Sequence, residues 1–175
     1  MENNSHISTL HNLIDYDISR FISAEVQLKN SIPEWMVKAS SLQLKNVLQK
    51  YLNFVQQHVE RLEDFFEEEK IDSLSLNNPL MQAYINDTNE KISICTHIEV
   101  KDACLLSCIQ AINHFKISTY GTAAAFANAL GMEKSAAIFH EAEINEKHID
   151  DRLSQLAEHE INFKAKSPIV LPENN

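Results

Sequence analysis

Apolar residues recur at steps of three and four along almost the whole chain, and the stripes they draw predict four long helices and one short one. The first stripe, Leu10, Ile14, Ile18, Phe21, Leu28 and Ile32, predicts a helix from Ser5 or Ser8 to near Asn30. Pro33 should then kink or end it, with Glu34 to Lys38 forming a last turn or two. Ser40 and Ser41 mark the break and offer an N-cap. The second helix, Leu42 to Glu69, carries Leu44, Leu48, Tyr51, Val55, Val59, Leu62 and Phe66 on one face, with His58 at its edge. Glu67 to Glu69 oppose the helix dipole and should fray. Lys70 to Asn78 is the longest linker, and Asn78-Pro79 supplies a cap and a first-turn proline for a short helix ending near Cys95. The third long helix, Glu99 to Leu130, shows Leu105, Ile109, Ile112, Ala123, Ala127 and Leu130, and Gly131 closes it as a left-handed residue. Gly121 in its middle lowers local stability or admits a close neighbour. The last helix, Glu133 to Ile161, turns Ser135, Phe139, Ala142, Glu146, Ile149, Leu153 and Leu156 inward. This organisation makes residues 1–161 one helical bundle and residues 162–175 an irregular tail or an arm against a partner chain.

Polar residues break three of these stripes where a leucine would be the ordinary choice. Glu25 stands between Phe21 and Leu28, Glu146 is central on the last helix with Asp150 one turn further on, and Asn113, Lys116 and Tyr120 interrupt the third long helix. Burying an ammonium without a partner costs several kcal/mol, so an acid should face Lys116 if that helix packs by its stripe.

Composition narrows the class. Two glycines and four prolines in 175 residues leave little material for turns or strands, which predicts an all-α domain. A formal charge of −10 with Lys and Arg scattered singly argues against nucleic-acid and anionic-membrane partners. No stretch has the apolar length of a membrane span, and the start, MENNSHIS, lacks the features of a signal peptide, so the chain reads as cytoplasmic. Cys95, Cys104 and Cys108 are read as reduced thiols. By helical angle Cys104 and Cys108 point outward, toward a packed dimer face or as a metal or redox pair, and His114, His140 and His148 lie on the surface. The short Gly131 link makes the last two long helices antiparallel neighbours, while the linker after the second helix allows a long crossover containing the short helix. Such bundles with inward acids have the form of ferritin-like carboxylate sites.

Several segments in order resemble the ferritin-like YciE/YciF family of bacterial stress-associated proteins: Ser23-Ala24-Glu25-Val26-Gln27-Leu28, His58-Val59-Glu60-Arg61-Leu62-Glu63, Val100-Lys101-Asp102-Ala103, Ile117-Ser118-Thr119-Tyr120-Gly121-Thr122, and Glu146-Lys147 with Asp150. The resemblance, from Phe21 to Ala157, implies a four-helix bundle with an additional short helix, often dimeric, around a carboxylate and histidine cluster for two metal ions. It assigns Glu25, His58, Glu146 and Asp150 to that cluster. The family's remaining acids are replaced here by Asn53 and Phe54, by Asn113 and Lys116, and by Gln82 of the Met81-Gln82 pair. A dinuclear centre needs anionic oxygen donors to offset two divalent ions, and these positions offer amides, an aromatic ring and a cation.

Two readings follow. In the first, the dinuclear site is degenerate and metal-free, with no cofactor: Lys116 pairs with Glu25 or Glu146, Asn113 and Tyr120 donate hydrogen bonds, and the protein is a non-enzymatic homodimer with a structural or binding role. The alternative for Lys116 alone is a stem that snorkels to the bundle edge. In the second reading Glu25, His58, Glu146 and Asp150 hold iron or manganese in a reduced ligand set, as an oxidoreductase or metal-handling protein.

Overall fold

The chain is all-α: a computed structural model, which describes residues 6–69 and 77–166 (of 67–69, the backbone alone), contains no strand among the described residues. Five helices carry the fold: α1 (Leu10–Lys38), α2 (Leu42–Glu69), α3 (Pro79–Ile94), α4 (Ile98–Ala129) and α5 (Glu133–Leu156). A single widened turn of π type, Ala157–Ile161, then leads into the short α6 (Asn162–Ala165). Helix α4 packs on α5 and α1 on α2, and the two hairpins close on each other through α2 with α5 and α1 with α4. The short α3 lies outside this four-helix bundle against α4 and α1, which makes it the crossover. Among the described residues no helix is long and apolar enough to cross a membrane.

Local chemistry fixes four of the helix ends. The Thr9 hydroxyl accepts from Asn12 N at 3.1 Å to start α1, Ser41 Oγ accepts from Leu44 N at 3.2 Å to start α2, and Asn78 Oδ1 accepts from Met81 N at 3.0 Å, with Pro79 beside it, to start α3. Helix α4 ends in a Schellman arrangement: Met132 N donates to Ala127 O at 2.9 Å and Gly131 N to Asn128 O at 3.1 Å, with Gly131 at φ 72°. Gly121 admits the close neighbour that its position suggests, since a Cβ there would lie 3.2 Å from Glu143 Oε1.

Three expectations need correction. The first helix does not stop near Asn30: α1 passes through Pro33, and the last turns expected from Glu34 complete it at Lys38. A proline inside a helix costs about 3 kcal/mol, but Ile32 and Trp35 on either side are fully buried, and burying each contributes about 1.5–3 kcal/mol; Trp35 Nε1 also donates to Asn89 Oδ1 of α3 at 2.9 Å. The chain is not irregular from Asn162, because burial of Ile161 holds the widened turn against the bundle and the helical path runs through Ala165. Leu130 sits at the exposed end of α4 and not in its core stripe. The predicted linker at 70–76, the Glu67 to Glu69 side chains and the tail from Ser167 lie outside the described residues.

At one end of the bundle, buried Asp102 of α4 clasps the α1–α2 turn. Its Oδ1 accepts from Ser40 N at 2.8 Å, and its Oδ2 accepts from Ser41 N at 2.8 Å and Ser40 Oγ at 2.5 Å. Replacing Asp102 by alanine removes charge-assisted bonds from the part-buried amides of the turn, and an expected loss of about 2–3 kcal/mol, read from denaturant unfolding, follows. A loss within about 0.5 kcal/mol of zero would mean that water replaces the carboxylate.

Candidate functional site

The polar residues that interrupt the stripes meet at the bundle axis. Glu25 arrives from α1, Tyr51 and His58 from α2, Asn113, Lys116 and Tyr120 from α4, and Glu146 from α5. Glu25, Asn113, Lys116 and Glu146 are all 0% exposed and His58 is 3% exposed. Each occupies a position that helical periodicity assigns to the core, so every backbone around them delivers its side chain inward.

Lys116 is the hub. Its Nζ lies 2.5 Å from Glu146 Oε1 and 3.0 Å from Glu25 Oε2, and 4.8 Å from the centroid of the Tyr51 ring. The bond to Glu146 has hydrogen-bond geometry, while the contact with Glu25 Oε2 is one of charge. Uncharged donors complete the carboxylates: Tyr120 Oη donates to Glu25 Oε1 at 2.6 Å, and Glu146 Oε2 accepts from Tyr51 Oη at 3.0 Å and Asn113 Nδ2 at 2.7 Å. Asn113 Nδ2 also reaches the Glu146 carbonyl at 3.0 Å. The Nδ1 atom of His58 faces Glu25 Oε1 and Glu146 Oε1 at 3.6 Å each, and its Nε2 lies 3.5 Å from Asn145 Nδ2. Since the amide nitrogen can only donate, that geometry puts the ring proton on Nδ1, toward the acids. The ring itself is held against Phe54 and Tyr120.

Two carboxylates thus share one ammonium, and they titrate as a pair. Burial opposes charge on both, and the Lys116 ammonium works against it; Glu25, helped by His58 and Tyr120, is left below the ordinary glutamate range, whereas Glu146, which also feels the charge of Glu25, is left above it. Burial and the same two acids push the hydroxyls of Tyr51 and Tyr120 well up, so both remain protonated donors.

Of the residues assigned to a metal cluster, the fold brings together Glu25, His58 and Glu146, each offering a donor atom within 4.8 Å of the others. Asp150 is not with them. It is half-buried near the surface and its Oδ1 meets His114 Nε2 at 2.9 Å. Four residues beyond Glu146, it lies on the rim of α5, whose inner face continues through Ile149 and Leu153. His114, His140 and His148 are exposed. Cys104 and Cys108 do not face outward: Cys108 is buried and Cys104 half-buried where α4 meets α3, because the crossover helix covers that face. Tyr51 is the residue that the sequence reading missed, counted as apolar although its position two turns before His58 put its hydroxyl level with the polar cluster.

The donor set does not fit two metal ions. Asn53 is exposed and Phe54 half-buried, Asn113 supplies an amide, and Lys116 Nζ stands within 3.0 Å of both buried glutamates, where a cation would need their oxygens. Three polar atoms here have no hydrogen-bond partner among the described residues: Glu25 Oε2, His58 Nδ1 and Asn113 Oδ1.

A family model described as a domain of unknown function (DUF892) matches residues 9–166. The chain is similar to protein YciF of Escherichia coli (strain K12), 28% identical over 163 residues that make up 93% of this chain and 98% of that protein. The crystal structure of the E. coli stress protein YciF superposes with a TM-score of 0.83 over 89% of this chain and 99% of that one, at 28% identity. YcfI from Rhodopseudomonas palustris gives a TM-score of 0.82 at 24% identity, over 86% of this chain and 96% of that chain, a likeness of fold.

Proposed function

The chain belongs to the DUF892 family, and within it we propose a ferritin-like, stress-associated protein whose dinuclear metal site has been replaced by an internal salt bridge and which serves a structural or binding role as a homodimer. One observation carries this reading: a fully buried lysine ammonium within 3.0 Å of both axial glutamates. Two like charges in a low-dielectric space need a counter-charge, and a lysine supplies it permanently where a divalent ion would supply it reversibly. The protein then needs no cofactor, and the cluster fixes the register of four helices instead of performing chemistry. The association with stress rests on the description of the E. coli relative.

A second reading has an observation of its own. His58 Nδ1 is buried, unpartnered and equidistant from the two glutamates, which is what a single iron or manganese ion on Glu25, His58 and Glu146 would use. That ion requires Lys116 to withdraw and the His58 ring proton to move from Nδ1 to Nε2, the nitrogen that faces Asn145 Nδ2. Purification with iron and manganese present, followed by elemental analysis, separates the two. The salt-bridge reading expects well under one ion per chain, with no change on Glu25→Ala. About one ion per chain that Glu25→Ala removes would establish the metal protein instead.

A further inference from the structure

All three cysteines of the chain converge where the crossover helix meets the bundle. Cys95 is the C-cap of α3, Cys104 and Cys108 stand one turn apart on α4, and the Cys104 thiol interacts with the thiols of both others. Burial, with the Cys108 and Cys95 thiols beside it, pushes the Cys104 thiol up to about 12, so it stays protonated at rest. Cys95 is half-buried and has left the helical ladder: its backbone is extended at φ −71° and ψ 119°, and its Sγ donates to Lys91 O at 3.2 Å. Lys91, ion-paired with Asp87 at 2.7 Å, is near enough for its charge to act on Cys104 and Cys108.

We propose that this thiol cluster is a redox-modification site, at which a peroxide converts Cys95 and Cys104 into a disulfide that staples α3 to α4. The pairing follows from geometry. Side chains four apart on a helix hold their Cβ atoms about 5–6 Å from each other, whereas a disulfide needs about 3.5–4.5 Å; Cys104 and Cys108 could join only by distorting α4. Cys95 has no such restraint, because it sits outside the helix, first in the three-residue link Cys95-Thr96-His97.

In the first step the Cys95 sulfur attacks the peroxide, the O–O bond breaks, and sulfenic acid forms at Cys95 with release of water or an alcohol. The Cys104 sulfur then attacks that sulfur, the S–O bond breaks, and the Cys104 proton leaves with the hydroxyl as water. Two thiols lose two hydrogens and one peroxide is reduced. Buried Cys108, against the same thiol, is a bystander.

Treatment of the reduced full chain with hydrogen peroxide, followed by alkylation and peptide mapping by mass spectrometry without reductant, tests this. The expected product is an intrachain Cys95–Cys104 link with Cys108 still alkylatable on unfolding. Cys95→Ser should abolish it and Cys108→Ser leave it intact, with circular dichroism showing that each variant is folded. A Cys104–Cys108 link, bonds only between chains, or sulfinic acid at Cys95 without any link would each overturn the proposal.

Discussion

Replacing Lys116 by methionine is expected to cost about 3–5 kcal/mol of folding stability at pH 7, the loss typical of a buried pair deprived of one partner. The cost lies in what remains: Glu25 and Glu146, both fully buried, would face each other without a cation. Its pH dependence identifies the cause. In the parent chain the two acids act with opposite sign. Glu25, held below the ordinary range, adds stability that is present above it and fades on acidification; Glu146, pushed above that range by burial, adds stability at low pH that fades as the pH rises. Lys116 is the strongest influence lowering either group, so in Lys116→Met both lie above their unfolded values. The variant should therefore gain stability as the pH falls from 7 toward 5, and its deficit against the parent should shrink. Urea unfolding at both pH values measures this. A deficit below about 1 kcal/mol, or one that does not narrow on acidification, would remove Lys116 from the centre of the cluster. Adding Glu25→Gln and Glu146→Gln to Lys116→Met should recover part of the loss, because uncharged amides remove the repulsion.

The double change Lys116→Glu with Asn113→Glu should reverse the character of the site. With Glu25 and Glu146 it gathers four carboxylates beside His58, a donor set suited to hard divalent ions. Without metal the variant should be less stable than Lys116→Met, since every added charge is buried. With iron(II) or manganese(II) it should bind at least about one ion per chain, and free metal at 100 times its dissociation constant should stabilise it by about 2.7 kcal/mol. Thermal unfolding with and without metal reads both effects. Failure to bind, in a variant that circular dichroism shows to be folded, would mean that the scaffold no longer points these positions at a common centre.

The site was legible in the sequence to the extent that helical periodicity governs it. Glu25, Asn113, Lys116, Tyr120 and Glu146 all stand on apolar stripes, and a stripe in a bundle has one destination, so their convergence followed from spacing. Asp150 shows where spacing fails: four residues along a helix turns a side chain about 40° past its predecessor, enough to move it from the axis to the rim beside His114. Tyr51 was hidden because a tyrosine in a stripe reads as a ring, and its hydroxyl matters only once Glu146 faces it. Pro33 and the cysteines depended on tertiary packing: the first on the burial of Ile32 and Trp35, the second on where the crossover helix lies.

The Asp102 clasp ties together residues 62 positions apart. The amides that begin α2 receive their acceptor from the second hairpin, so the first hairpin by itself ends in unpaired donors at its turn. Separation of the two hairpins would strip that acceptor from the turn, so opening of the turn and parting of the hairpins are linked.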